Sequence, residues 1–250
     1  MQNLQNKNIL ITGAGSGLGK AIVDELASED VVISIIGRNK DKLALFKKPN
    51  IHVVCGDVTN EFLINQVVSE LKPQILILNA GATPIMASLE EQTWDSFTTV
   101  WNTDVKAGLY GIQAALKAPL PPGSRVLVVS SGAAMVGAPL SGSYAGAKRM
   151  LWFMAQYANE IARKKGLGIT FQMLVPMQMI AGTDLAQTIA GAYAKPEGLT
   201  AEKYIEARYG EPLTSMEYAK HVHTLLTNPA YINGAAYGIR KDTGLKLIDY

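Results

Sequence analysis

Apolar residues along this chain fall into short, nearly unbroken runs separated by longer stretches with helical spacing. Residues 8–12, 31–36, 51–55, 75–78, 125–130 and 169–175 read as strands, and their continuous apolarity fits a sheet covered on both faces. Residues 17–27, 61–71, 90–116 and 143–165 read as the helices between them, 214–227 as a further helix and 235–239 as a last strand. Strand and helix alternating in this way predict an α/β fold: a doubly wound, mostly parallel sheet with helices on both faces. No repeat, low-complexity tract or linker interrupts the series, so one domain is expected over residues 1–250.

The stretch from Pro176 to Pro212 departs from this alternation, with Gly182, Gly191, Pro196, Gly198 and Gly210 scattered among Met and Tyr residues. It follows a strand's carboxyl end, where ligands bind in open α/β sheets. It therefore reads either as a mobile substrate loop with short helices or as an excursion packed on a neighbouring subunit.

Composition narrows the partners. Only 18% of residues are charged against 48% apolar, which implies extensive buried surface, subunit contacts included. The net charge is +2 and the Lys and Arg residues are scattered, so no basic stripe points to nucleic acid. No apolar run approaches the roughly 20 residues that span a bilayer, and the polar start over residues 1–8 leads directly into a strand, so neither membrane nor signal peptide is expected and the cytoplasm is the default location. Cys55 is the only cysteine and lies in a strand pattern, where it reads as a small core residue. His52 sits in a strand, and His221 and His223 are two apart on a helix, so no metal cluster is expected. Trp94, Trp101 and Trp152 read as core or interface anchors.

The first strand runs into Thr12-Gly13-Ala14-Gly15-Ser16-Gly17-Leu18-Gly19, and Lys20 opens a helix. Glycines here allow a tight turn, close approach of backbone to a pyrophosphate and close helix packing, while the helix N-terminus supplies N–H donors. A phosphate-free structural turn is the other reading of such a loop. The second strand ends Ile36-Gly37-Arg38. Gly37 offers no carboxylate to the ribose hydroxyls of NAD, whereas Arg38 offers a charged fork to the 2′-phosphate of NADP, so NADP(H) is the expected cofactor. Tyr144 and Lys148, four apart on a helix, share one face. An ammonium that stabilises phenolate would make the tyrosine a general acid, although Tyr-x-x-x-Lys alone also fits plain helix surface. Ser130-Ser131 places a hydroxyl at the carboxyl end of the preceding strand.

Taken together, Thr12-Gly13 with Gly17 and Gly19, Asn79-Ala80-Gly81, Asn102, Ser131, Tyr144 and Lys148 resemble the short-chain dehydrogenase/reductase family in its usual order, from about Lys7 to Pro176. That resemblance implies a Rossmann-like single domain and a reversible NADPH-dependent reduction of a ketone or aldehyde. It gives Tyr144 the substrate proton, Ser131 a hydrogen bond to the same oxygen, and Lys148 the nicotinamide ribose. It also gives Asn102 a helix bend and a water in a proton relay through Lys148. Gly13, Gly15, Ser16, Gly17, Leu18, Gly19, Arg38, Asp57, Val58, Asn79, Ala80, Gly81, Pro176 and Thr183 would contact the cofactor. A small-molecule substrate and a homo-oligomer, tetramer or dimer, follow from the same likeness. Two departures stand out: Pro176-Met177 replaces the family's Pro-Gly, with Thr183 late for the nicotinamide contact, and Asp242-Thr243-Gly244 replaces a C-terminal Asp-Gly-Gly. Reduction of a C=C or C=N bond, or a non-catalytic NADP-binding redox sensor, are the competing readings.

Overall fold

The computed structural model describes residues 4–248; residues 1–3, in the polar start, and 249–250 lie outside the described residues, and with them both ends of the expected 1–250 domain. A sheet of eight strands runs through the molecule. In chain order its parallel members are β1 (Lys7–Thr12), β2 (Val31–Gly37), β3 (Ile51–Cys55), β4 (Ile75–Leu78), β5 (Arg125–Val129), β6 (Thr170–Pro176) and β9 (Ala236–Arg240). They lie in the order β9-β6-β5-β4-β1-β2-β3, and β10 (Gly244–Leu247) pairs antiparallel with β9 at the edge. The strand order reverses between β1 and β4, which opens a crevice at their carboxyl ends.

Strand residues alternate between two cores, which is why their sequences are apolar throughout. Leu10, Ile36, Leu76, Val126, Phe171 and Met173 face a core shared with α3 (Glu61–Leu71), α5 (Lys106–Lys117) and α7 (Tyr144–Lys164). Ile9, Ile11, Ile33, Ile35, Ile77 and Leu127 face the other, shared with α1 (Gly17–Leu26) and α10 (Ser215–Thr227). Each face is thus sealed by helices, as a parallel sheet requires.

Two expectations need correction, the single helix over 90–116 and the buried Cys55, and two others become more definite. The single helix expected over 90–116 is α4 (Trp94–Val100), a π turn (Trp101–Val105) and then α5. The stretch from Pro176 to Pro212 carries the short helices expected of it: β7 (Ile180–Ala181), α8 (Asp184–Ala194) and α9 (Ala201–Tyr209), with β7 paired to β8 (Leu213–Thr214). Cys55 is exposed rather than core, because β3 is the outer strand of the sheet. Of the tryptophans read as core or interface anchors, Trp152 is buried in the core, while Trp94 at 76% exposure keeps only the interface reading. Two short helices, α2 (Lys40–Leu43) and α6 (Ala133–Val136), also lay below the resolution of the sequence pattern.

At the amino end of β5, Arg125 is buried and bonds to oxygens that carry no full charge. Its Nε donates to Gln172 Oε1 at 2.8 Å and its Nη1 to Leu225 O at 2.9 Å, while Gln172 Nε2 donates to Gly234 O at 2.7 Å. Burial pulls the guanidinium down to about 10, still charged near neutrality. The pair pins the end of α10 and the start of β9 to the sheet centre. Arg125→Met would strand several buried acceptors, so urea unfolding should show a loss of about 2–4 kcal/mol. A change below about 0.5 kcal/mol, the range of an ordinary surface substitution, would show the network to be dispensable.

Candidate active site

Thr12, the last residue of β1, ties the crevice together. Its hydroxyl accepts from Asn79 N at 3.0 Å and Ala80 N at 3.2 Å, and Asn79 Nδ2 donates back to Thr12 O at 3.2 Å. The ends of β1 and β4 are therefore one hydrogen-bonded unit. Gly13 follows at φ +69°, and a Cβ there would lie 2.6 Å from Ala80 Cα. Only glycine admits both that backbone conformation and that approach. Ser16 precedes α1 in extended conformation without capping it through its side chain, so the first-turn N–H groups of α1 have no side-chain acceptor there. A bare helix N-terminus behind a glycine cradle suits a pyrophosphate, and the residues present fit a dinucleotide.

The neighbouring strand ends add the remaining positions named from the sequence. Arg38, after β2, is exposed, and Lys42 lies with its Cβ 3.7 Å from where a Cβ on Gly15 would be. After β3, the Asp57 carboxyl accepts from Thr59 N at 2.8 Å. That bond holds it below the usual carboxylate range, with Arg38 and Lys106 adding weaker attraction. Val58 is buried beside it. Pro176 ends β6, and its carbonyl accepts from Gly132 N at 2.8 Å. Thr183 caps α8: its hydroxyl donates to Ile180 O at 2.9 Å and accepts from Ala186 N at 3.2 Å. That capping duty accounts for a threonine at this position.

Ser131 stands just past β5, half-buried, with its Oγ accepting from Ala133 N at 3.2 Å. The preceding Ser130 donates to Lys148 O at 2.9 Å and so fixes the first turns of α7 against the strand end. Tyr144, the first residue of α7, is buried, and Lys148 Nζ lies 5.7 Å from its ring centroid. The helix spacing thus brings the phenol and the ammonium together.

Asn102 is not part of this cluster. It sits on the π turn with its side chain exposed, donating to Thr98 Oγ1 at 3.3 Å. Asp104 occupies the inward position instead. It is 1% exposed, its Oδ1 accepts from Ala82 N at 2.7 Å, and its Oδ2 lies 2.8 Å from Lys148 Nζ. The second contact is an ion pair between two buried groups. Burial pulls the Lys148 ammonium down, but Asp104 and Tyr144 more than offset this and hold it above the ordinary lysine range. A signal was present in the sequence: Asp104 shares a helical face with the small residues Ala107, Gly108 and Gly111, an acid placed on an apolar stripe. Among the described residues no group of three or more His, Cys, Asp or Glu side chains could hold a metal ion.

A glycine-lined crevice at a topological switch point, with phenol, ammonium and hydroxyl at its edge, defines a dinucleotide-binding oxidoreductase framework. The chain belongs to the short-chain dehydrogenase family, whose model matches residues 7–193. An uncharacterized oxidoreductase of Staphylococcus aureus (strain MW2) is 26% identical over 179 residues, 68% of this chain and 78% of that protein. The 1,2-dihydroxy-1,2-dihydronaphthalene dehydrogenase of Pseudomonas putida is 34% identical over 167 residues, 62% of this chain and 64% of its own. Among solved structures, a blue fluorescent protein from a metagenomic library in complex with NADPH has a TM-score of 0.78 at 23% identity, covering 97% of this chain and 99% of that one. A short chain dehydrogenase family protein from Francisella tularensis has a TM-score of 0.77 at 21% identity, covering 92% and 95%. These two share the fold.

Gly81 makes room for the buried carboxylate, since a Cβ there would fall 2.8 Å from Asp104 Oδ2. Gly81→Ala should therefore displace Asp104 and cost about 1–3 kcal/mol in chemical denaturation. An unchanged midpoint would show that the carboxylate has room to move.

Proposed function

We propose that the protein catalyses the reversible, NADPH-dependent reduction of a ketone or aldehyde to an alcohol, with Tyr144 as the general acid. The observation that carries this reading is a buried phenol with an ammonium 5.7 Å from its ring centroid, at the sheet edge that also bears Ser131. When bound, the nicotinamide supplies the hydride. The chain's own part is to deliver a proton and to hold the acceptor oxygen. Tyr144 gives its proton to that oxygen, and the positive charge of Lys148 stabilises the phenolate left behind. The Ser131 hydroxyl donates to the same oxygen as charge develops on it. A C=C or C=N acceptor offers no oxygen for these two hydroxyls to share.

The cofactor would lie along Gly13, Gly15, Ser16, Gly17, Leu18 and Gly19, with Asn79, Ala80 and Gly81 on one side and Asp57 and Val58 on the other. Arg38 would hold a 2′-phosphate, and Gly37 before it brings no carboxylate to repel one. The likeness to a protein solved with NADPH supports that choice. The segment 176–212 would bound the substrate: Tyr193 of α8 accepts from Leu140 N at 3.0 Å, joining this segment to the stretch between Ser131 and Tyr144. The same reading expects a homo-oligomer in the cytoplasm. Leu109, Tyr157 and Ile161, exposed on α5 and α7, offer an apolar face for association.

Two variants test this function. Tyr144→Phe should lower turnover on a carbonyl panel by about 10²–10⁴-fold, followed as NADPH absorbance, while NADPH still binds. Parental turnover in that variant would remove the assigned acid, and NADPH binding without turnover of any substrate by the parent protein would favour a sensor. Arg38→Ala should raise the Michaelis constant for NADPH about ten- to a hundredfold and leave that for NADH in place. Equal constants for both cofactors in the parent protein, persisting in the variant, would refute the NADP assignment.

A further inference from the structure

We infer that Asp104 is a positioning residue of this site: it acts through Lys148, keeping that side chain charged and anchored to the carboxyl edge of β4. The inference rests on the function proposed above and deepens it. A lysine 5% exposed pays a heavy desolvation cost for its charge and, without an opposite charge nearby, would shed its proton. Asp104 is the carboxylate that meets it, 2.8 Å away and itself 1% exposed. The carboxylate is in turn held by the backbone: Ala82 N donates to Oδ1 at 2.7 Å, and bare Gly81 leaves room for Oδ2. The chain of contacts therefore runs from the end of β4 through Asp104 to Lys148, and from Lys148 to the ring of Tyr144.

No other charge substitutes for Asp104. Among the elements packed on α7, α6 and β6 carry no titratable side chain, and β5 carries only Arg125 at its opposite end, bound to Gln172. On the π turn, Asp104 is the one titratable residue. Of the groups on α5, Lys106 lies over the ring of Tyr110, and Lys117 pairs with Glu61 at 3.7 Å. On α7 itself, Tyr144 and Arg149 are the titratable groups nearest in sequence to Lys148, and Tyr157, Glu160, Arg163 and Lys164 lie two or more turns further along. Arg149 stacks its guanidinium on Trp152 and Phe153.

The role differs from that of a structural ion pair in its pH signature. Asp104 raises the Lys148 ammonium, so the charged form persists as pH rises. Removing the carboxylate leaves burial opposed by Tyr144 without its larger partner, and Lys148 should lose its proton at lower pH. Asp104→Asn keeps an acceptor for Ala82 N, removes the charge and sets an amide NH2 in place of the oxygen that faced the ammonium.

The test labels lysines with acetic anhydride across a pH series, in protein free of cofactor, and reads Lys148 by peptide mass spectrometry. Only the neutral amine reacts. In the parent protein Lys148 should become reactive at higher pH than exposed surface lysines do. In Asp104→Asn that onset should move down by one pH unit or more, so that the neutral fraction at a fixed pH below the onset rises about tenfold. The alkaline limb of NADPH-linked carbonyl reduction should move down with it. Labelling of Lys148 at the same pH in both proteins would overturn the inference. So would parental Lys148 reacting along with surface lysines, a comparison that needs no variant to fold. Because labelling is read without turnover, a parent protein that reduces no carbonyl would sink the proposed reaction and leave this test standing.

Discussion

A buried ammonium is the constraint around which this site is arranged. Lys148 is 5% exposed, and an uncompensated charge at that depth would cost several kcal/mol. The compensation comes from Asp104, a carboxylate just as deeply buried that needs its own donor and its own space. Ala82 N is the donor, and the missing side chain of Gly81 is the space. Much of the local architecture thus follows from one electrostatic requirement. The end of β4 must lack a side chain at Gly81 and must turn an N–H inward, and the helix facing it must present an acid.

The strand ends meet the same requirement by hydrogen bonding rather than by charge. Thr12 binds β1 to β4 through Asn79 and Ala80, and Ser130 binds β5 to the first turns of α7. Tyr144, Lys148, Ser131 and the glycine loop stand on three elements that are far apart in sequence. These short polar contacts fix their relative positions at the point where the sheet order reverses. Buried polar groups of this kind tolerate little displacement, because each lost partner leaves a desolvated atom behind. Rigidity at the crevice is a consequence of burying polar atoms there.

What was legible in the sequence follows from which forces act locally. The doubly wound sheet was readable because β4 and β5 are buried throughout and β1 and β2 over most of their length, which leaves few polar residues within these strands. The pairing of Tyr144 with Lys148 was readable because four residues make about one helical turn. The choice between Asn102 and Asp104 was harder to read, the one signal being the small residues Ala107, Gly108 and Gly111 on the face of Asp104. Two residues apart on a helix, they point about 200° from one another, so a small change of register exchanges inside for outside. The π turn at Trp101–Val105 widens the helix there, and it turns Asp104 inward toward a lysine more than forty residues later in the chain. Periodicity alone carries no record of that partner. Cys55 was misread for a related reason: apolar neighbours in β3 say nothing about whether another strand lies beyond.

The segment beyond β6 obeys a different logic. Helices α8 and α9 pack on each other through Ala186, Ala190 and Ile205, a satellite cluster of mostly small side chains separate from both main cores. Their ties to the frame include the two-residue pairing of β7 with β8, the Tyr193 hydroxyl accepting from Leu140 N, and Leu185 packed against the core beneath α7. Small side chains and short pairings bury little surface, so changes here cost the fold little. Under the function proposed above, the phenol, ammonium and carboxylate stand on α7 and the π turn, whereas the segment bounding the substrate would be α8 and α9. A fold divided in this way could vary the molecule it admits while leaving the proposed proton-delivering cluster undisturbed, so on that reading substrate identity is to be sought in α8 and α9 rather than in the cluster itself.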